Sequence, residues 1–177
     1  MKNNSITVEI RQEDATDFPA VYNINSTAFE GRDEAQLVDR LRGSENFIPE
    51  LSLVATIENK LVGHILFTTI KIVNEETETE SLALAPIAVK PELQRKGIGT
   101  QLIQHGLKKA KELGYESAIV LGHEHYYPRF GFAPTNKWGI KAPFNVPANV
   151  FMAVELVKDA LSGVRGTVKY DKAFEEV

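Results

Sequence analysis

The sequence predicts an α/β fold (mixed α+β) in which helices pack on a mixed, mostly antiparallel β-sheet. Two observations support this prediction. Residues 51–57 and 61–72 have strand-like composition and flank a short turn, which favours an antiparallel hairpin. Apolar residues 82–89 precede an amphipathic helical stretch at 98–113 and a second apolar run, Ser117–Leu121. A strand–helix–strand unit of this length favours a right-handed parallel crossover.

The N-terminal third is predicted to form one strand and two helices. Residues 6–10 alternate apolar and polar side chains, as a half-buried strand does. Residues 14–29 have helical apolar spacing, and Pro19 is expected in the first turn, where a missing N–H costs little. Residues 34–41 are predicted to be a second, short helix.

The central hairpin turns at Glu58-Asn59-Lys60, and the acidic segment 74–80 is expected to be a solvated loop. Pro86 interrupts the next strand. Proline cannot donate to a sheet ladder, so it is expected at an edge, a gap or a bulge, or else beside the strand end.

The C-terminal part is predicted to be a long ordered loop with short strands. The helix over residues 98–113 is expected to end at Gly114. Prolines after Phe132 mark the loop, and strands are expected near 137–141 and at 150–156. Residues 166–170 are expected to be an edge strand or a packed tail.

Composition limits the classes of function. A chain of 177 residues is long enough for one domain with a full core, so we expect a single domain over residues 1–177. A net charge of −4 argues against nucleic-acid binding. The absence of cysteine excludes disulfides, thiol nucleophiles and cysteine-ligated zinc. No apolar run approaches the roughly 20 residues of a membrane span, and the N-terminus lacks a signal-peptide core. We therefore expect a cytoplasmic protein that binds neither nucleic acid nor membrane.

The turn before residue 98 has the features of a pyrophosphate site. Gly97 and Gly99 lie where a helix begins, next to Arg95 and Lys96. A helix N-terminus has unpaired N–H groups and a partial positive charge, and glycines allow an anion to approach the backbone closely.

Other phosphate loops fit less well. The Gly-Lys-Ser/Thr ending of a Walker loop is absent, and Ile103 occupies the third glycine position of the dinucleotide fingerprint. The remaining pattern, Gln94-x-x-Gly97-x-Gly99, resembles the acyl-CoA pyrophosphate motif of the GNAT superfamily of N-acetyltransferases.

A second motif strengthens this resemblance. Tyr126-Tyr127-Pro128-Arg129-Phe130-Gly131-Phe132 is similar to the second signature of the family, in which Tyr127 falls on the tyrosine commonly used as general acid. The similarity extends over roughly residues 5–175 and points to the YhbS-like predicted acetyltransferases. The further segments that carry it are Ala28-Phe29-Glu30, Pro49-Glu50-Leu51-Ser52-Leu53-Val54-Ala55, Gly63-His64-Ile65-Leu66-Phe67, Pro143-Phe144-Asn145-Val146-Pro147 and Phe151-Met152.

The resemblance implies the GNAT fold, with a sheet of about six to seven strands, about four helices and one parallel crossover. The fourth strand is expected to bulge and to splay from the fifth, which opens a slot for the pantetheine arm. Pro86 lies where such a break is needed.

The implied reaction is direct attack of a primary amine on acetyl-CoA in a ternary complex. The implied cofactor-binding residues are Ile87, Ala88, Val89, Gln94, Arg95, Lys96, Gly97, Ile98, Gly99 and Thr100. The backbone near Ile87 and Val89 would pair with pantetheine, and the Ile87 N–H would stabilise the oxyanion.

The catalytic candidates are Tyr127 and Glu30. A phenol stays protonated at neutral pH and can protonate the leaving thiolate, for which Tyr126 is the local alternative. Glu30 is the predicted base for the acceptor ammonium, with Glu34, His123 or ordered water as alternatives. His64, within a strand, is expected to be a packed histidine.

The acceptor is expected to be a small-molecule or peptide amine. Phe29, Arg32, Trp138 and Phe144 could line its cleft, although each could also be a packing or surface residue. Arg129 could meet a CoA phosphate or stay solvated. We expect a monomer or a homodimer.

Three further features bear on these predictions. Val120 stands where many family members carry an asparagine that contacts the cofactor arm. His123-Glu124-His125 lacks a third metal ligand nearby, so no metal is expected. The alternative function is a non-catalytic acyl-CoA sensor of the same fold.

Overall fold

A computed structural model of the chain describes residues 7–176. The α-helices within this range are α1 (Phe18–Ala28), α2 (Asp33–Arg42) and α3 (Ile98–Glu112). The strands are β1 (Glu9–Gln12), β2 (Phe47–Ile57), β3 (Lys60–Val73), β4 (Glu78–Val89), β5 (Ser117–Leu121), β6 (Ala133–Pro134), β7 (Ile140–Lys141), β8 (Phe151–Glu155) and β9 (Gly166–Lys169). Short 3-10 turns lie at Ala15–Asp17, Pro91–Leu93, Tyr127–Phe130, Thr135–Lys137, Ala148–Val150 and Lys172–Glu176.

The predicted sheet architecture is confirmed. The main path of the sheet runs β1-β2-β3-β4-β5-β8-β6, and its neighbours are antiparallel except for the parallel pair β4 and β5. Helix α3 forms the crossover between these two strands. The nine strands of the described chain exceed the expected six to seven, because β6 and β7 contain only two residues each and β9 pairs with the end of β3. A second short parallel pairing joins β7 to β9.

The N-terminal elements form close to their predicted positions. Part of the predicted first strand lies outside the described residues, and β1 continues to Gln12. The predicted helix at 14–29 is divided into a 3-10 turn and α1. Asp14 and Asp17 form a capping box around the turn, and Pro19 lies in the first turn of α1, as expected.

The hairpin between β2 and β3 is confirmed. Glu58 and Asn59 both have positive φ, 50° and 65°, which is the backbone of a two-residue type I′ turn. The prediction that residues 74–80 are all loop is wrong, since β4 already begins at Glu78 and pairs with Val73. The side chain of Lys71 lies 3.2 Å from that of Glu78, so a charged strand end is tolerated at this exposed position.

The two faces of the sheet are covered by different helices. Leu53 of β2 packs in the same cluster as Leu102 of α3. The next residue, Val54, packs instead with Val21 of α1 and Leu41 of α2. Because successive side chains of a strand point to opposite faces, α3 lies on one face and α1 and α2 lie on the other.

The centre of the sheet opens at Pro86. The pairing of β4 with β3 shifts register here, so that Leu84 pairs with Phe67 and Ile87 pairs with Ile65. Two residues of β4 therefore oppose one residue of β3, which is a β-bulge. In the described chain, β4 and β5 are joined in register only at Ala83 and Ile119. The expected splayed pair of strands is present, and it leaves a slot beside Ile87.

The described helices contain no segment long and apolar enough to cross a bilayer.

Candidate active site

A cavity of about 550 Å³ lies where β4 and β5 diverge. Its walls come from the two strands, from the α1–α2 region and from two C-terminal segments. The lining residues are Phe29, Glu34, Leu37, Ala83, Leu84, Ala85, Pro86, Ile87, Ile119, Val120, Leu121, Tyr127, Phe144, Val146, Tyr170 and Phe174. The structure thus brings the predicted Tyr127, Ile87, Phe29 and Phe144 into one space.

Tyr127 is held by aromatic packing. It begins the 3-10 turn that follows β5, and only 7% of its surface is exposed. Its ring makes edge contacts with Tyr126 and Phe132, at centroid distances of 5.2 and 5.5 Å. Burial raises its pKa to about 12, with a smaller contribution from Tyr126, so the phenol is protonated at neutral pH.

Gly122 is a residue that the sequence analysis did not assign to the site. A Cβ at this position would lie 2.2 Å from Cε2 of Tyr127, closer than packed atoms approach. The backbone of Gly122 donates a hydrogen bond to the Val150 carbonyl at 2.9 Å, which fixes the turn under the ring. Glycine is therefore required here because the Tyr127 ring occupies the side-chain space.

The predicted phosphate loop has the expected backbone geometry. Gly97 precedes α3 with φ 86°, and Arg95 also has a positive φ, 64°. The Gln94 side chain donates to the Val89 carbonyl at 3.2 Å and ties the loop to the end of β4. Residues 94–97 are exposed, so the free N–H groups at the start of α3 and the two cations face solvent together.

Tyr126 links this loop to the cavity. Its hydroxyl lies 3.0 Å from the Thr100 Oγ1 in the first turn of α3. The Arg129 guanidinium lies over the Tyr126 ring at 4.5 Å, and the Arg129 Nε donates to the Tyr126 carbonyl at 3.0 Å. The second motif thus packs directly against the start of the first.

The predicted acceptor residues divide into two groups. Phe29 and Phe144 line the cavity, whereas Glu30, Arg32 and Trp138 do not. Glu30 is exposed in the connection between α1 and α2, where its φ is 54°. The alternative acid Glu34 does line the cavity, from the first turn of α2. Trp138 packs instead on the cluster around Ile140.

Two cavity residues had no sequence signal of their own. Tyr170 ends the segment predicted as an edge strand or packed tail, and Phe174 lies beyond that segment. Both residues follow β9, which pairs with the end of β3 and so brings this part of the chain back to the sheet.

His64 is a packed histidine, as expected. It is fully buried, with Nε2 lying 3.1 Å from the Ser52 hydroxyl and Nδ1 lying 3.3 Å from the Asn25 amide nitrogen. Burial lowers its pKa to about 4, which outweighs the raising effect of Glu13. It is therefore neutral at pH 7 and lies outside the cavity lining.

The histidine pair near the second motif is exposed. His125 lies 3.3 Å from Glu124 at the surface. Within residues 7–176, no group of three or more His, Asp or Glu side chains is arranged to hold a metal ion.

Comparison with known proteins identifies the family. The sequence model of the acetyltransferase (GNAT) family matches residues 18–132. The chain belongs to this family. The match includes α1, the splayed strands, the phosphate loop and the Tyr127 motif, so it covers both motifs on which the predicted resemblance rested.

The GNAT relatives include two proteins of Escherichia coli K12, both called uncharacterized N-acetyltransferases. YjhQ is 40% identical over 135 residues, which is 76% of this chain and 75% of YjhQ. YhbS is 32% identical over 166 residues, which is 93% of this chain and 97% of YhbS. The predicted membership of a YhbS-like group, and with it of an acetyltransferase enzyme family, is confirmed.

Two solved GNAT structures have the same fold and a bound cofactor. Escherichia coli YhbS in complex with CoA superimposes with a TM-score of 0.90 at 28% identity, over 99% of this chain and 96% of that one. A GNAT acetyltransferase from Brucella melitensis in complex with acetyl-CoA gives a TM-score of 0.78 at 28% identity, over 96% and 99% of the two chains.

Proposed function

We propose that this protein transfers the acetyl group of acetyl-CoA to a primary amine by direct attack in a ternary complex. The observation that supports this best is that Tyr127 and Ile87 line one cavity, beside the phosphate loop. A general acid and an oxyanion donor must both reach the thioester, and this arrangement allows it. The CoA and acetyl-CoA complexes of the two structural relatives support the same cofactor here.

Coenzyme A would be held mainly through the backbone. The N–H groups of Ile98, Gly99 and Thr100 begin α3 and would bind the pyrophosphate, with Arg95 and Lys96 adding charge. The pantetheine arm would lie in the slot between β4 and β5 and pair with Ile87, Ala88 and Val89 as an added strand.

Val120 gives this slot an apolar wall where many family members have asparagine. The side chain is buried and lines the cavity. It can offer no hydrogen bond to the arm, so we propose that backbone groups of β4 provide the polar contacts on their own.

Tyr127 would act on the leaving group. The amine nitrogen attacks the thioester carbon, the C–S bond breaks, and the phenol donates its hydrogen to the sulfur as negative charge develops there. Burial raises the pKa of the Tyr127 phenol, so it carries a proton to donate at neutral pH.

An ammonium has no lone pair, so it must lose a proton before its nitrogen attacks. Glu34 faces the cavity, whereas Glu30 lies at the surface outside it, so we propose that the Glu34 carboxylate pairs with the ammonium and takes this proton. The second proton, released from the nitrogen as the amide forms, would return to the Tyr127 phenolate. For Glu30 to act as the base, as predicted from the sequence, the connection between α1 and α2 would have to move toward the cavity.

The test measures thiol release from acetyl-CoA with a panel of primary amines, for wild type and Tyr127→Phe. We expect kcat to fall about 100-fold, because general acid catalysis typically contributes at least that factor, with CoA affinity unchanged. Tyr115→Phe is the matched control, since Tyr115 packs on the core but does not line the cavity. Wild-type kcat in Tyr127→Phe would overturn the assigned role.

A non-catalytic acyl-CoA sensor is the alternative. It predicts CoA binding by calorimetry without thiol release with any amine. We further propose that residues 1–177 form one acetyltransferase domain, monomeric or homodimeric, in the cytoplasm, a location that fits a chain without cysteine.

A further inference from the structure

The end of the cavity beyond Tyr127 is almost entirely apolar. The pantetheine arm would cover the cavity residues of β4 and β5. The rest of the cavity, here called the acceptor end, would remain open to the amine. That end is lined by Phe29, Leu37, Phe144, Val146, Tyr170 and Phe174, together with Glu34. Glu34 is the one charged residue among the described residues that line the cavity.

The aromatic side of this end is a packed wall. Tyr170 stacks on Phe144 with a centroid distance of 6.0 Å and an interplanar angle of 24°. Tyr170 also contacts the ring of Phe174 at 5.0 Å. Burial raises the pKa of the Tyr170 phenol, so its ring offers a neutral surface.

Polar contacts outside the cavity fix this wall in place. Asp171 accepts hydrogen bonds from the Asn46 amide at 2.7 Å and from the Ala173 backbone at 2.8 Å, and it also bonds to the Ser44 hydroxyl. The segment between Tyr170 and Phe174 is therefore anchored to the loop after α2. These contacts hold the backbone between the two aromatic rings of the wall against the loop.

We infer that the acceptor is a primary amine with one positive charge on an apolar body, either aromatic or aliphatic. This inference rests on the proposed acetyl transfer and specifies its substrate class. The ammonium would pair with Glu34, and the body would lie against the aromatic wall. A second ammonium or several hydroxyls would enter an apolar space without partners, which costs free energy. Polyamines and aminosugars are thereby disfavoured.

The test compares hexylamine with 1,6-diaminohexane, which have the same chain length and differ by one terminal amine. We expect kcat/KM for thiol release to be at least about 100-fold higher with hexylamine, since the diamine must bury an unpaired charge. 2-Phenylethylamine is expected to match or exceed hexylamine. Equal or better turnover of the diamine would overturn the inference while leaving acetyl transfer intact.

Glu34→Gln tests the contact with the ammonium. We expect KM for hexylamine to rise about tenfold with the CoA dissociation constant unchanged. Asp33→Asn is the matched control, because Asp33 is the neighbouring acid, is exposed and does not line the cavity. An unchanged KM for hexylamine in Glu34→Gln would refute the assigned contact.

Val146→Asp provides the converse test. A second carboxylate in the lining of the same cavity should selectively raise kcat/KM for the diamine, by about tenfold. A variant that loses hexylamine turnover without gaining diamine turnover would count against the placement of the amine body.

Measurements of amine binding distinguish failure of this inference from failure of the proposed function. If no amine supports thiol release, acetyl transfer to amines is refuted. Calorimetric titration of each amine into the CoA-loaded protein then tests the inferred acceptor class by itself. Tighter binding of hexylamine than of the diamine supports the apolar site, and binding of the diamine alone or of neither amine overturns it.

Discussion

The phosphate loop and the acceptor end of the cavity are assembled in opposite ways. The loop consists of consecutive residues, 94–100, and its conformation includes positive φ at Arg95 and Gly97. The acceptor end combines side chains from the α1–α2 region with side chains from residues 144–146 and 170–174, which lie more than 100 positions later in the chain. The first region can be recognised from a short motif, whereas the second exists only after folding.

This difference has consequences for substitution. Changes in the loop should affect cofactor affinity alone, because its residues do not line the cavity. Changes at the Tyr127 ring should affect turnover more than cofactor affinity, because Gln94 anchors the phosphate loop to the end of β4 and not to Tyr127.

The largest effect is expected from Gly122→Ala. The added methyl group would lie 2.2 Å from Cε2 of Tyr127 and must displace the ring. We expect kcat to fall about 100-fold, because a displacement of about 1 Å can cost that factor, with CoA affinity within twofold of wild type. Steady-state thiol release and calorimetry measure the two quantities.

Gly43→Ala is the matched control for this prediction. A Cβ at Gly43 would lie 3.6 Å from the Arg40 carbonyl oxygen, an ordinary contact, and φ is −89°. If Gly122→Ala keeps the wild-type kcat, the Tyr127 ring can shift without lowering turnover. The argument that turnover depends on the position of this ring would then be wrong.

A smaller effect is expected from substitutions in the phosphate loop, and it should appear in CoA affinity and not in kcat. Arg95→Gln or Lys96→Gln should each raise the CoA dissociation constant about tenfold, since a charge-assisted contact to phosphate contributes roughly 1.5–3 kcal/mol. At saturating acetyl-CoA, kcat should remain at the wild-type value. Lys108→Gln, exposed farther along α3, is the control. A fall in saturated kcat would show that the two regions are not independent.

The smallest expected effect is that of alkaline pH on kcat. Because the pKa of Tyr127 is raised to about 12, kcat should not decline between pH 7 and pH 10. The stabilisation that comes from burying the neutral phenol is likewise present below about pH 10 and lost as pH rises toward 12. An alkaline decline near pH 9 that disappears in Tyr127→Phe would contradict the raised pKa. Rate profiles of both proteins measure this.

Much of the site could be predicted because it is local. Tyr127 and the loop lie in short motifs whose backbone conformation depends on glycine and on the start of α3. Phe29 and Phe144 belong to segments that the family resemblance already marked. Pro86 predicted the break in β4, since proline cannot donate to the ladder.

The placement of the other candidate residues depends on packing between distant segments. Glu30 and Glu34 are four residues apart, and their difference in exposure follows from where α2 begins, at Asp33. Trp138 could not be distinguished from Phe144 as an acceptor residue, because both lie in one irregular loop. Gly122 carries no motif, and its role appears only when the Tyr127 ring lies against it.

The strand–helix–strand crossover, the glycine turn and the tyrosine motif could be predicted from the sequence, because each depends on neighbouring residues. Only the folded chain shows which acid faces the cavity and that Tyr170 and Phe174 join its lining. These two aromatic residues are distant in sequence from the slot formed by residues 83–121, and the pairing of β9 with β3 brings their segment back to the sheet.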